Sequence, residues 1–277
     1  MSGRVRVDAV TRLDAAGART DPDLVAIEAP LEVVLAHPSL AETRSLGLLM
    51  RTPGDDRDLV LGLLYAEGVV SSLDDVTDLA VDAGQSGSQG RPPRALVTLS
   101  RGVDLPDRWP DRGTSGTSAC GLCGRLAMRA VDRGAAGPPD QPRILAAVVA
   151  GLPSRLHAGQ TVFADTGGLH AAALCDLTGA PWLLREDVGR HNAVDKVVGA
   201  ALAAARLPAR HALLAVSGRV AYEIVQKAVA AGVPAIVAVG APSSLAIDAA
   251  RSAGVTLAGF VRGGRFNIYT GAARIVP

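Results

Sequence analysis

Two cysteines near the middle of the chain carry the most reactive side chains in the sequence. Cys120 and Cys123 stand in a Cys-x-x-Cys spacing within TSGTSACGLCGR, residues 114–125. Small hydroxyl residues precede the pair and glycines flank it, so we expect an exposed loop that leads into a helix. The helix N-terminus and Arg125 would both stabilise the thiolate, which is the nucleophilic form of cysteine. The pattern therefore predicts a pair of reactive thiols.

Three predicted strand ends in the last third of the chain carry residues that suit phosphate binding. They are Ser217, Gly218 and Arg219 after HALLAV, residues 240–244 after VPAIVAV, and Val261, Arg262, Gly263, Gly264 and Arg265 after VTLAGF. Glycines let backbone N–H groups approach an anion, and arginines offer paired donors to phosphate oxygens. Because ligands bind outside the carboxyl ends of parallel strands, we predict a site for a phosphorylated ligand, such as a nucleotide, at this edge.

A fourth segment, REDVGRHNAVDK at residues 185–196, gathers ionisable groups just before an apolar helix. His191 within it could act as a general acid or base, or could recognise a nucleobase. Asn192 or Asp187 could cap the helix. The alternative interpretation is a solvated helix start with an internal salt bridge.

The two thiols could also bind zinc or carry out thioredoxin-like redox chemistry. Cys120 and Cys123 have zinc-ligand spacing, and His191 or His170 could supply a third ligand. However, neither histidine lies in the His-x-Glu motif of zinc deaminases, so we assign no metal. A thioredoxin-like redox role is disfavoured because the pair follows no strand of a βαβ unit.

The segments around these residues predict an α/β protein of two units. Residues 1–22 are polar and are expected to form a flexible arm, and residues 23–113 a small α+β domain. Residues 114–277 are expected to form a larger domain. Its last hundred residues alternate strand and helix, which predicts a largely parallel sheet with helices on its faces. Cys175 alternates inward on one of its strands and is expected to be a small core residue.

The composition limits the classes of partner. The formal net charge is +1, so charge indicates no nucleic-acid partner. Three cysteines cannot build a disulfide framework, and no secretory signal is recognisable, which together predict a cytoplasmic protein. Glycines and prolines interrupt the longest uncharged run, so no membrane span is expected.

Several stretches together resemble one family, the formate dehydrogenase accessory sulfurtransferases. They are TSACGLCG, EDVGRHNAVDKVVG, SGRVAYEIVQKAVAAGVPAIVAVGAPSSLAID and GFVRGGRFNIYTG. APLEV and TPGDDRDLVLGLLYAEGVV are similar to the N-terminal signatures of that family. The resemblance covers nearly the whole chain after the first 22 residues.

The resemblance implies a sulfur carrier that takes persulfide sulfur from a cysteine desulfurase. The sulfur would pass to the molybdenum (or tungsten) bis-guanine-dinucleotide cofactor before that cofactor enters formate dehydrogenase. Cys120 and Cys123 would relay the sulfur, with Cys120 favoured as the first carrier. The stretch from Phe260 to Arg265 would bind the cofactor, which a guanine nucleotide could mimic.

The resemblance also implies a three-layer, cytidine-deaminase-like C-terminal domain without zinc chemistry, and a homodimer. Two alternatives to the sulfur carrier stay open at this point. One is a cofactor-binding chaperone in which the thiols are incidental. The other is a zinc-dependent, deaminase-like enzyme that acts on nucleosides.

Overall fold

The structure, a computed structural model, describes residues 3–84, 90–105 and 142–277. The strands are β1 (Val5–Asp14), β2 (Gly17–Ala26), β3 (Ala29–Ala36), β4 (Arg44–Arg51), β5 (Val76–Asp82), β6 (Arg94–Leu99), β7 (Ile144–Leu145), β8 (His170–Cys175), β9 (Pro181–Asp187), β10 (Leu213–Val216), β11 (Ala235–Ala238), β12 (Thr256–Arg262), β13 (Arg265–Thr270) and β14 (Ile275–Val276). The α-helices are α1 (Asp56–Ala66), α2 (Ala146–Ala158), α3 (Thr161–Thr166), α4 (Arg190–Ala203), α5 (Tyr222–Ala230) and α6 (Ser244–Ser252). The thiol loop and the helix expected after it lie outside the described residues.

The main sheet has six strands in the order β13-β12-β11-β10-β8-β9. Strands β10, β11 and β12 run parallel, whereas β8, β9 and β13 pair antiparallel with their neighbours. The prediction of a largely parallel sheet was therefore wrong, and the sheet is mixed. The physical reason is that two hairpins flank the parallel centre, and antiparallel strands need only a short turn to pair.

Helices cover both faces of this sheet, which gives the domain three layers. Helices α4, α5 and α6 pack on one face, where Leu174, Leu214 and Ile236 point into a shared apolar cluster. Helix α2 packs on the other face against the alternate side chains, which include Cys175. The expectation that Cys175 is a core residue is confirmed, because this side chain is buried among aliphatic neighbours.

The N-terminal unit is a second mixed sheet that packs on α1. Its strand order is β4-β3-β6-β5, with β3 and β6 parallel and the outer pairs antiparallel. Pro30 lies within β3. Pairing of β3 with β6 begins only at Glu32, so the missing N–H of Pro30 leaves no ladder bond unmade.

Residues 5–26 form an antiparallel hairpin of β1 and β2, so the expectation of a flexible polar arm for residues 1–22 was wrong in the described part. The physical reason is an alternation of side chains with a period of two. One face carries apolar pairs such as Val7 with Leu24, and the other carries arginines and aspartates that form cross-strand ion pairs, among them Arg12 with Asp23. The apolar face is exposed to solvent.

The two units meet where α1 crosses α4. A Cβ atom added at Gly62 would lie 1.8 Å from the carbonyl oxygen of Asp195, and one added at Gly199 would lie 1.9 Å from that of Asp58. The two helix backbones approach each other too closely for any side chain to fit between them, so both positions require glycine. This crossing holds α4, and with it the start of that helix, against the N-terminal unit.

Candidate functional site

The three predicted strand-end loops meet at one edge of the main sheet. The backbone N–H of Gly240 donates to the carbonyl of Gly218 at 3.3 Å, and that of Phe260 donates to Gly240 at 3.1 Å. Val220 and Pro242 form an additional parallel bridge. The glycine at position 240 is needed for this close approach, because a Cβ there would lie 2.7 Å from the Gly218 oxygen. Its N–H is used within the fold and does not face a ligand.

Ser217 is held at the end of β10 by the neighbouring strand β8. Its Oγ accepts a hydrogen bond from the N–H of Ala171 at 2.9 Å and lies 3.4 Å from Nδ1 of His170. Gly218 fits beneath the same imidazole, because a Cβ at this position would lie 3.1 Å from Nδ1. The first predicted loop is therefore built against His170, a residue that the sequence had suggested only as a zinc ligand.

Two arginines give this edge its positive charge. Arg219 follows Ser217 and Gly218 in the loop, and Arg190 begins α4 beside them. Neither forms a salt bridge with any described residue, and Nε of Arg190 is buried without a hydrogen-bond partner among them. Burial, followed by the charges of these two arginines, lowers the pKa of His170. An anion bound here would supply the missing negative charge, so Arg190 joins the candidate site although the sequence did not single it out as a ligand.

His191 lies in the first turn of α4 and is buried, with 8% of its surface exposed. Its Nε2 is 3.8 Å from a carboxylate oxygen of Glu223 at the start of α5. Burial, with the charge of Arg190 second, lowers the pKa of His191 to about 4. The imidazole is therefore neutral near pH 7. Of the two roles that the sequence suggested, recognition by a neutral ring fits this geometry better than proton donation does.

The stretch from Phe260 to Arg265 forms the turn between β12 and β13. Gly263 and Gly264 have φ angles of 56° and 76°, as a two-residue hairpin turn requires, and Arg262 pairs with Arg265 across it. Val261 is buried in the core and offers no side chain to a ligand, whereas the two arginines are exposed. Phe260 is 44% exposed and adopts a positive φ of 54° at a β-bulge beside Gly240.

The ionisable groups of residues 185–196 mostly hold the fold together. Lys196 is fully buried, and its Nζ lies 2.7 Å from the Asp187 carboxylate and donates to the carbonyl of Thr52 at 2.9 Å. The Asp187 carboxylate also accepts from the N–H of Thr52 and from the amide of Asn192. The alternative of a solvated helix start was wrong in one respect, because this salt bridge is buried, and its hydrogen bonds to Thr52 join the two units.

The other lysine of the chain is used in the same way, with a partner one residue earlier in α4. Lys227 of α5 pairs with Asp195 at 2.6 Å, and both side chains are buried. Burial raises the pKa of Asp195, which the charge of Lys227 opposes. Both lysines thus form buried ion pairs that hold α4 in place. Among the described residues, the exposed cationic side chains are therefore arginines.

A cavity of about 500 Å³ opens beside the strand-end loops. Its lining is mainly apolar and is formed by Pro153, Leu156, His157, Gln160, Phe163, Gly167, Gly168, Leu169, His170, Val188, Ser217 and Val239. His170 and Ser217 belong both to this cavity and to the edge that carries the arginines. A ligand could therefore place an apolar ring in the cavity and an anionic group against Arg190 and Arg219. Sequence reasoning missed the cavity because its lining comes from α2, α3 and four separate strand ends.

The remaining predicted site residues can be placed only in part. Cys120 and Cys123 lie outside the described residues. Within the described ranges, histidine, cysteine, aspartate and glutamate side chains form no group of three or more suited to a metal ion. None of the helices in those ranges is both long and apolar enough to span a bilayer.

Comparison with known proteins identifies the family of this chain. The chain matches the model of the FdhD/NarQ family over residues 26–276. It is 47% identical to a protein of Nocardia farcinica named sulfur carrier protein FdhD, over 99% of this chain and 96% of that protein. A protein of the same name from Streptomyces coelicolor is 45% identical over 96% of this chain and 94% of its own length.

A solved structure shows the same fold. The crystal structure of a putative formate dehydrogenase accessory protein from Desulfotalea psychrophila superposes with a TM-score of 0.76, covering 99% of this chain and all of that one at 22% identity. The protein described here is thus a mixed α/β protein with an anion-suited edge and an adjoining cavity. It belongs to the FdhD/NarQ family, as its resemblance to the accessory sulfurtransferases predicted.

Proposed function

We propose that this protein is a sulfur carrier that delivers persulfide sulfur to the molybdenum bis-guanine-dinucleotide cofactor of formate dehydrogenase. The observation that carries the proposal is the 47% identity, over nearly the whole chain, to a protein named as a sulfur carrier. The Cys-x-x-Cys pair supplies the thiols that such a role requires.

The sulfur enters by exchange between a persulfide and a thiolate. The thiolate of Cys120 attacks the outer sulfur of the persulfide on a cysteine desulfurase, forms a new S–S bond and releases the desulfurase thiolate. The exchange has no net oxidation or reduction, because one persulfide replaces another. Cys123, three residues further on, is then close enough in sequence to assist the release of the sulfur or to take it over.

The strand-end edge holds the cofactor while the sulfur arrives. Its phosphates would lie against Arg190 and Arg219, which lack acidic partners among the described residues, and Ser217 can add a hydroxyl contact. The exposed Arg262 and Arg265 extend the positive surface along the β12–β13 turn. A homodimer would offer two such edges to a cofactor that carries two guanine nucleotides.

The thiol chemistry can be tested on the isolated protein. Incubation with a cysteine desulfurase and cysteine should add one sulfur atom to the 114–125 peptide, as detected by mass spectrometry. Cys120→Ala should abolish or strongly reduce this gain, and formate dehydrogenase in cells that depend on the variant should lose its activity. Full sulfur loading and full enzyme activity in both Cys120→Ala and Cys123→Ala would contradict the proposal.

Cys175 provides a matched control within the same chain. Burial raises the pKa of its thiol to about 12, so it is protonated and enclosed at neutral pH. Cys175→Ala should therefore leave sulfur loading unchanged. Loading of Cys175 in place of the 114–125 peptide would contradict the assignment of the carrier.

The chaperone alternative gives a different pattern in the same experiments. The anion-suited edge lies on strands of the main sheet and does not require sulfur chemistry. If formate dehydrogenase depends on Arg190 and Arg219 but is unaffected when both cysteines are replaced, the protein binds the cofactor without carrying sulfur. Loss of activity in both sets of variants supports the sulfur carrier.

A further inference from the structure

The hairpin of β1 and β2 lacks a third strand. Within the described ranges it is a separate two-stranded sheet, so neither strand has a second neighbour. Its base packs on α3 through β2, where a Cβ added at Gly168 would lie 3.3 Å from the Cβ of Ala26. Residues 11–20, which include the turn, are all exposed. Because a two-stranded hairpin is only marginally stable in water without further strands or a helix, this half of the hairpin calls for a partner.

Backbone geometry decides which edge of the hairpin can accept another strand. The pair Asp14 and Gly17 closes a two-residue turn and exchanges both hydrogen bonds, as does every second pair from there along the hairpin. Pro22 pairs with Ala9, which falls between the hydrogen-bonded pairs, so the nitrogen of Pro22 faces away from β1. This nitrogen carries no hydrogen, so Pro22 blocks the outer edge of β2. Strand β1 contains no proline, and its outer edge is open for pairing.

The charged face of β1 is complementary to a second copy of itself. From the start of the strand to its end, this face carries Arg6, Asp8, Val10, Arg12 and Asp14. A second β1 that runs antiparallel about Val10 places Arg6 of one copy opposite Asp14 of the other. The same register places Asp8 opposite Arg12. Since the charges along this face cancel, the face attracts neither an acidic nor a basic partner, and it matches a copy of β1 better than either.

The neighbouring registers oppose like charges. A register centred one residue earlier brings Arg6 opposite Arg12. One centred one residue later brings Asp8 opposite Asp14, and like charges directly opposite each other are destabilising. A centre between two residues would pair the charged face of one copy with the apolar face of the other. The sequence of β1 therefore favours the register about Val10.

The backbone and the apolar face fit that register as well. Val10 belongs to a hydrogen-bonded pair with Asp21, so its N–H and C=O point towards β2. The charged residues would consequently lie at the non-hydrogen-bonded positions of the new ladder, where facing side chains are closest. On the other face Val7, which is 49% exposed, would lie opposite Leu13, which is 79% exposed. The register thus pairs apolar with apolar and arginine with aspartate.

We infer that β1 is the strand through which two copies of this chain associate, antiparallel about Val10, as a continuous four-stranded sheet in the order β2-β1-β1-β2. Such a contact uses the same surface on both copies, as two-fold symmetry requires. The family resemblance implies a homodimer but assigns no surface to it. The inference needs no sulfur chemistry and no bound cofactor.

The test uses two charge reversals in the full chain, Asp8→Lys and Arg12→Glu. The first places a lysine opposite Arg12, the second places a glutamate opposite Asp8, and two-fold symmetry makes each repulsion occur twice. Analytical ultracentrifugation of the wild type should show a dimer that dissociates on dilution. Each variant alone should dimerise roughly tenfold or more weakly.

An equimolar mixture of the two variants should regain the dimer. In the mixed pair the introduced lysine faces the introduced glutamate, and the remaining arginine faces the remaining aspartate. Chains that had merely misfolded would not recover on mixing. Within one hairpin Asp8 lies opposite Asp23, so Asp8→Lys removes a like-charge pair and should not weaken the hairpin itself.

Asp248→Lys is the matched control. It makes the same charge change at an exposed position of α6, where Asp248 pairs with Arg251 at 3.0 Å. This variant should dimerise as the wild type does.

Three results would overturn the inference. They are a wild type that stays monomeric at every concentration, unchanged dimerisation of both charge-reversed variants, and a mixture that does not recover the dimer. None of them bears on sulfur loading of the 114–125 peptide. The inference can therefore fail while the proposed function stands.

Discussion

The buried imidazole of His191 should make the stability of this protein strongly dependent on pH below neutrality. The pKa of His191 is lowered to about 4 in the folded chain, against an ordinary value of 6.5. Between these values the unfolded chain binds a proton that the folded chain does not, so stability falls as the pH falls. At about 1.4 kcal/mol per pKa unit, His191 accounts for roughly 3 kcal/mol that is present above pH 6.5 and lost by pH 4.

The groups that set this pKa from the neighbouring elements are Arg190, His170, Glu223 and Lys227. Urea unfolding of wild type and His191→Gln should be followed at several values between pH 4 and pH 7. The free energies of unfolding should converge by about 3 kcal/mol as the pH falls, because only the wild type loses the contribution of the neutral imidazole. Acid effects shared by both chains cancel in the difference.

A second variant tests the electrostatic cause. Arg190→Gln removes a positive charge that disfavours the imidazolium, so the pKa of His191 should rise and the pH dependence should become shallower. Two parallel stability curves for wild type and His191→Gln across this range would refute the reasoning. They would mean that His191 is as easily protonated in the folded chain as in the unfolded one.

Three further variants test other parts of the argument. Gly199→Ala should cost about 3 kcal/mol or more in urea unfolding, because its Cβ would strike the Asp58 carbonyl; a near-neutral effect would refute the close crossing of α1 and α4. Lys196→Met should cost roughly 3–5 kcal/mol at neutral pH by leaving Asp187 buried without its cation, and an unchanged unfolding midpoint would contradict this. Arg219→Gln should weaken binding of guanosine diphosphate roughly tenfold and reduce its dependence on salt, whereas unchanged titration curves would remove Arg219 from the site.

Local patterns predicted the elements whose periodicity is strong. Apolar residues at helical spacing in GDDRDLVLGLLYAEG, VDKVVGAALAAAR, VAYEIVQKAVAAG and SLAIDAARSAG predict helices, and the structure has α1, α4, α5 and α6 there. The predicted strands before the three strand-end loops are β10, β11 and β12. The segments LHAAALCD and PWLLRE flank the turn signal DLTGA, which predicts the hairpin that β8 and β9 form. In these segments the apolar residues face a single core, so the pattern in the sequence and the burial in the structure have the same cause.

The errors concern two hairpins between adjacent strands. Strand β13 was missed because Gly263 and Gly264 are equally compatible with a hairpin turn and with an anion-binding loop. The β1–β2 hairpin was missed because its charged residues conceal a strict alternation. The likeness of the larger domain to cytidine deaminases stays a prediction, as does the boundary between the units at residue 113.

The sequence predicted where the candidate site lies in the fold, but not the full set of residues that form it. Ser217, Gly218 and Arg219 lie at the sheet edge where the strand-helix rhythm placed them, because carboxyl ends of parallel strands must meet there. The adjoining cavity could not be found in this way, because residues that lie far apart in the sequence line it.

The topology of the main sheet explains why the cavity lies where it does. From β10 the chain crosses through α5 to β11 and through α6 to β12, always on the same face and in the same direction along the sheet. On the other side of β10 lies β8, which runs antiparallel to it. The chain that leaves β10 continues into α5 on that face, whereas α2, which precedes β8 in the chain, packs on the opposite face. The connections at β10 and β8 therefore diverge to opposite faces, and such a divergence leaves a crevice at the sheet edge. His170 and Ser217 stand at that divergence, so a ligand that contacts both is bound where the fold itself separates its strand connections.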